Sequence, residues 1–139
     1  MHQQFSWWRA GALGLSMAAA WPVCLADTTT DCDLMNGEKI FHKCAVCHSV
    51  LEGEAHGAGP NLHGVADRTV GKVEGFKFSK RMRLSEQTWT DAHLDAYLED
   101  PATVYKRTRM AFGGLKNAED RQDVICYLRQ SGTTADASP

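Results

Sequence analysis

Two thiols and an imidazole stand within five consecutive residues, Cys44-Ala45-Val46-Cys47-His48. Thiols separated by two residues can reach the two vinyl groups of one haem, and a histidine immediately after them lies under the iron and supplies a ring nitrogen. Two thioethers then hold the group even when its axial ligands exchange. The other chemistries of a Cys-x-x-Cys pair fit less well. A thioredoxin-like redox pair wants a βαβ context, and none surrounds it. A zinc site wants two more ligands at matching spacing, and Cys32 and Cys126 lie in no second paired motif. The run is therefore read as the attachment site of one covalent haem.

An iron held by one histidine has an open axial position. An electron carrier fills it, so that little rearranges when the charge changes. The candidates are Met35, Met82 and Met110 and the histidines 42, 56, 63 and 93. Met110 is preferred, because it lies in irregular chain after a helix and far enough along to return over the haem; His/Met ligation also raises the reduction potential. Met35, on the first helix, and Met82 read as packing residues.

These residues need a scaffold, and the sequence predicts helices for it. Asp33 caps a helix running to about Lys43, with Leu34, Gly37, Ile40, Phe41 and Cys44 at helical spacing. Gly37 leaves room for another helix to approach. From Ser49 to Phe78 the chain reads as loop, with glycines at 53, 57, 59, 64, 71 and 75 and Pro60 among them. So long a loop makes sense if it wraps something that is not protein. A short helix is expected over Ser79 to Arg83. Thr90 caps one from Asp91 to Glu99 with Leu94, Tyr97 and Leu98 inward, and Asp100-Pro101 stops it. Ala102 to Leu115 reads as irregular. Asn117 caps a last helix with Asp120 in its first turn, Val124, Ile125, Tyr127 and Leu128 on its apolar side, and Gly132 at its end. There is no internal repeat and no convincing strand.

The 139 residues suffice for one domain, and 23% charged against 43% hydrophobic residues is a globular composition. A net charge of -2 gives no support for nucleic-acid binding. Residues 1–26 read as a signal peptide: His2 and Arg9, an apolar stretch from Ala10 to Val23, and Cys24-Leu25-Ala26 with the cut after Ala26. The stretch is too short and too rich in Ala and Gly to span a bilayer well. The mature chain, 27–139, is expected to be a single haem domain with its core over about 33–132 and a polar tail.

The ordered motifs resemble the class I cytochromes c, the soluble mitochondrial and bacterial family. Gly37 to Phe41 is similar to that family's first helix, and Cys44 to His48 to its attachment site. Gly59-Pro60-Asn61-Leu62-His63-Gly64 resembles the proximal loop, and Gly75-Phe76-Lys77-Phe78-Ser79 the segment under a propionate. Asp100-Pro101 and Met110-Ala111-Phe112-Gly113-Gly114-Leu115 resemble the distal loop, and Asp123 to Leu128 the last helix. The resemblance implies an all-α fold of three main helices and glycine-rich loops around one haem c and its iron. It implies that His48 and Met110 ligate the metal. The Pro60 carbonyl would orient His48, Trp89 would donate to a propionate, and Tyr97 would approach the axial methionine.

The sequence departs from the family at Lys106-Arg107, where Pro-Gly is usual. That change predicts a freer methionine loop, a more labile Met110–iron bond, and Lys106 as a replacement ligand at raised pH. Phe78 stands where a propionate-bonding tyrosine is frequent, so one propionate is expected to be wetter. In the family fold the first and last helices cross. A Cys32–Cys126 bridge is then open in an oxidising compartment; so is the alternative of a buried small side chain at 126 and a free thiol at 32.

Lys106, Arg107, Arg109 and Lys116 flank Met110, with Lys43 and Lys72 near the same edge, on a mature chain that is net acidic. This basic rim predicts brief, salt-sensitive docking to an acidic redox partner. The expectation is a soluble, monomeric, periplasmic one-electron carrier between respiratory or dehydrogenase partners, not an enzyme. It would have no stable membrane insertion once the signal is removed. A gas sensor, a peroxidase-like catalyst or a subunit of a periplasmic oxidoreductase are the rival readings.

Overall fold

A computed structural model describes residues 32–133. The expected signal peptide and the end of the polar tail lie outside the described residues. Five helices follow in order: α1 (Leu34–Phe41), α2 (Lys80–Arg83), α3 (Asp91–Glu99), α4 (Pro101–Val104) and α5 (Ala118–Ser131). No described helix is long and apolar enough to cross a membrane.

Side-chain caps set the helix starts. Asp33 accepts from the Asn36 N–H, Ser79 from Met82, Thr90 from His93, and Asn117 from Glu119 and Asp120. α1 ends two residues before the expected Lys43, and turns continue from it into the Cys44–His48 segment. The expectation of irregular chain after Asp100 is corrected by α4. Asp100 ends α3 with extended backbone, and its carboxylate then accepts from the N–H groups of Ala102 and Thr103. Pro101 occupies the first helical position, where a missing N–H is harmless.

α1 crosses α5, and α3 packs on α5 and α4. The α1–α5 crossing is close because Gly37 has no side chain; an added Cβ there would overlap the Asp123 carbonyl. Cys32 and Cys126 form a disulfide with their Cα atoms 6.4 Å apart, so the bridged alternative is the one observed. Asp123 adds polar ties at the same crossing, accepting from the Asp33 N–H at 2.9 Å and from Asn36 Nδ2 at 2.8 Å.

The core gathers Ile40 and Phe41 of α1, Leu94, Tyr97 and Leu98 of α3, and Val124, Ile125 and Leu128 of α5. Trp89 and Tyr105 join it from the connecting segments. The long loop is tied back at one place. Asp67 N–H donates to the Trp89 carbonyl, Trp89 N–H to Arg68, and Val70 N–H to Gln87, around an isolated bridge between Thr69 and Thr88.

Candidate haem-binding site

The attachment run sits on a tight turn beyond α1. The N–H groups of Cys47 and His48 both reach the Cys44 carbonyl, at 3.0 and 2.9 Å. Cys44 and Cys47 are free thiols, the first half-buried and the second exposed. Burial pushes the Cys44 thiol up from its usual pKa, with Lys43 pulling weakly the other way.

His48 follows with its ring already oriented. Its Nδ1 lies 2.7 Å from the Pro60 carbonyl oxygen. A carbonyl only accepts, so Nδ1 carries the proton and the Nε2 lone pair is left for a metal. Burial lowers the His48 pKa, against the smaller raising effect of the Pro60 bond, so the ring is held neutral as a ligand must be. Gly59 gives the ring its space; a Cβ at 59 would overlap the imidazole.

On the opposite side of the sequence, Met110 is half-buried and packs against the core. Its N–H donates to Thr108 Oγ1 at 3.3 Å, and that oxygen lies 3.1 Å from the Tyr97 hydroxyl. Tyr97 thus reaches the methionine through Thr108. Burial, with a smaller contribution from nearby Tyr105, raises the Tyr97 pKa, which keeps the phenol protonated. The other ligand candidates are exposed, packed in the core or hydrogen-bonded to backbone. Met35 is 82% exposed on α1, whereas Met82 is a core residue. His56 accepts from the Asn61 N–H through Nδ1, and its Nε2 meets the Glu74 carbonyl at 2.8 Å. His63 Nδ1 meets the Val50 carbonyl and His93 Nδ1 that of Thr88. His42 is exposed at the end of α1.

Trp89 is buried against the rings of Tyr97 and His93, at centroid distances of 5.0 and 4.7 Å. Its backbone is paired with that of Arg68, a residue the sequence reading did not single out. Arg68 spends Nη1 on the His63 carbonyl and Nη2 on that of Asn61. Its Nε is the buried side-chain polar atom without a partner among the described residues. Partial burial lowers its pKa, and no carboxylate among the described residues pairs with it. A carboxylate-bearing group seated beside Arg68 and Trp89 would meet that need, and a haem carries two. The thiol pair, the oriented neutral imidazole, the space at Gly59 and the unpartnered Nε of Arg68 all fit a haem. Phe78 is half-buried against Phe76, 4.9 Å between centroids.

The family model for cytochrome c matches residues 34–132. The chain belongs to the cytochrome c family. Among its relatives, cytochrome c2 of Rhodomicrobium vannielii is 39% identical over 117 residues, 84% of this chain and 94% of that one. Cytochrome c of the plant Stellaria longipes is 42% identical over 100 residues, 71% of this chain and 93% of its own. The solved structure of cytochrome cH from Methylobacterium extorquens superposes with a TM-score of 0.66 at 35% identity, covering 70% of this chain and 98% of that one. The all-α cytochrome c fold expected from the motifs is therefore the fold observed. The protein is a haem c electron carrier and not an enzyme.

Proposed function

We propose that the protein is exported to the periplasm, holds one haem through thioethers at Cys44 and Cys47, and uses His48 and Met110 as axial ligands. It passes single electrons between respiratory or dehydrogenase partners as a monomer. The observation that carries this reading is the 2.7 Å contact between His48 Nδ1 and the Pro60 carbonyl. It fixes the tautomer and leaves the Nε2 lone pair free for a metal, directly after the two free thiols.

The haem, when bound, supplies a reversible one-electron iron couple. The chain's residues tune and protect it. Tyr97 and Thr108 hold the Met110 backbone in place. Arg68 and Trp89 offer a propionate a half-buried cation with a buried free Nε and an indole N–H, which favours the wrapped loop only when the group is seated.

Lys106, Arg107, Arg109 and Lys116 are exposed around the methionine loop. Arg109 and Lys116 touch backbone carbonyls of Lys77 and Glu99, which leaves their charge available for steering an acidic partner. The Cys32–Cys126 disulfide supports an oxidising compartment. So does the apolar run 10–23 ahead of Ala26.

Mass spectrometry of the protein purified from the periplasmic fraction tests this reading. The expected mass is that of the chain from Asp27 plus one haem, and C44A/C47A carries none covalently. An unmodified thiol pair in the wild type would contradict it. Reduction of an acidic redox partner should slow as ionic strength rises.

A further inference from the structure

Tyr105 is 4% exposed, yet its hydroxyl meets three polar groups from other segments. Ser85 Oγ lies at 3.2 Å, Gln87 Oε1 at 3.1 Å and His93 Nε2 at 3.2 Å. Ser85 and Gln87 stand between α2 and α3, and His93 is in the first turn of α3. His93 is itself fixed, because its Nδ1 donates to the Thr88 carbonyl at 3.0 Å. The His93 ring stacks on Tyr105 at 5.7 Å, and Tyr97 and Trp89 meet it edge-on at 5.8 and 6.1 Å. A tyrosine that only filled this aromatic cluster would need no hydroxyl, and a phenylalanine would fill the same space.

The same residue opens the turn that leads to Met110. Thr108 N–H donates to the Tyr105 carbonyl at 2.9 Å, and Arg107 lies inside the turn at φ 62°. L residues avoid that left-handed conformation, and glycine is its usual occupant. The turn therefore needs a hold from outside itself. At its far end the hold is the Thr108–Tyr97 contact. At its near end it is the phenol of Tyr105.

We propose that Tyr105 is a positioning residue for the sixth haem ligand: its hydroxyl, bonded to Ser85 and donating its one proton to Gln87 Oε1 or His93 Nε2, anchors the 105–110 loop and sets how readily Met110 leaves the iron. This rests on the reading of Met110 as that ligand. Loss of the hydroxyl removes one donor and strands the groups that faced it, so the open form of the loop gains population. The core keeps its aromatic ring.

The test is imidazole binding to the ferric holoprotein at neutral pH, followed through the long-wavelength methionine-to-iron band. Imidazole must displace Met110, so its apparent affinity scales with the open fraction. Y105F should bind imidazole about tenfold more tightly than wild type, and S85A, which deletes one partner, about threefold. C32S/C126S lowers global stability away from this loop and should stay within about twofold. An unchanged affinity in Y105F, or an equal rise in C32S/C126S, would overturn the proposal. If Y105F does not incorporate haem, S85A decides by the same criterion. A wild-type protein with no methionine band overturns the ligand assignment as well, whereas a normal band with unaltered Y105F affinity overturns only the anchoring role.

Discussion

Gly37 lies so close beneath the Asp123 carbonyl that no side chain fits between α1 and α5. The obstacle is backbone on both sides and cannot swing away. G37A is expected to lower stability by about 1–3 kcal/mol, as overpacking does. Urea denaturation of the holoprotein measures it. A midpoint equal to wild type would mean that the two helices tolerate a wider crossing.

The disulfide stands at the same crossing and closes a loop with a sequence separation of 94. Its removal in C32S/C126S should cost about 2–4 kcal/mol, mainly through the larger freedom of the unfolded chain. The haem spectrum should not change, because neither cysteine belongs to the attachment run. Denaturation of the two forms, followed at the haem absorption, checks both statements.

The turn 105–108 carries Lys106 and Arg107 where the family usually has Pro-Gly. It keeps the hydrogen-bonded shape, with the left-handed residue third. Tyr105, at φ -121° and ψ 89°, lies outside the helical region that a following proline disfavours. K106P/R107G should therefore stabilise the protein by roughly 1 kcal/mol and raise the pH at which the ferric methionine band disappears. An alkaline optical titration of variant and wild type is the measurement. If the band of the wild type itself persists to high pH, Lys106 does not replace Met110.

Asp100 joins α3 to α4, and its carboxylate is held below the usual range first by the Thr103 hydroxyl and then by the Thr103 N–H. A carboxylate with a depressed folded pKa favours the folded state above its unfolded value near 4. That contribution is lost as pH falls through the lower folded value. D100N keeps an acceptor oxygen but not the charge. It should be less stable than wild type at neutral pH, and the difference should shrink on acidification below about pH 4. A difference that grows with acid would contradict the assignment.

Local signals made much of the scaffold legible in the sequence. Thr90 and Asn117 cap where they were expected to, and the span Asp91–Glu99 is the α3 observed. α4 escaped because Asp-Pro carries two meanings at once. The residue before a proline leaves the helical region, and the proline itself is a favoured first helical residue. Reading Asp100-Pro101 only as a stop missed the second. The attachment run was legible because its chemistry is contiguous. Arg68 was not, because its role depends on the backbone pairing of 67–70 with 87–89, a long-range contact without a hydrophobic period. Tyr105 escaped for the same reason, since Ser85, Gln87 and His93 meet it only in the fold.

In the proposed ligation, His48 and Met110 together close the coordination of one haem in an electron carrier. The most direct measurement is the optical spectrum of the purified protein, ferric and then reduced, alongside M110A. His/Met ligation predicts a low-spin spectrum with a methionine-to-ferric-iron band, sharp reduced bands and no ready binding of carbon monoxide, with the band lost in M110A. A high-spin wild type that binds carbon monoxide readily would contradict it and favour a gas-binding or catalytic haem.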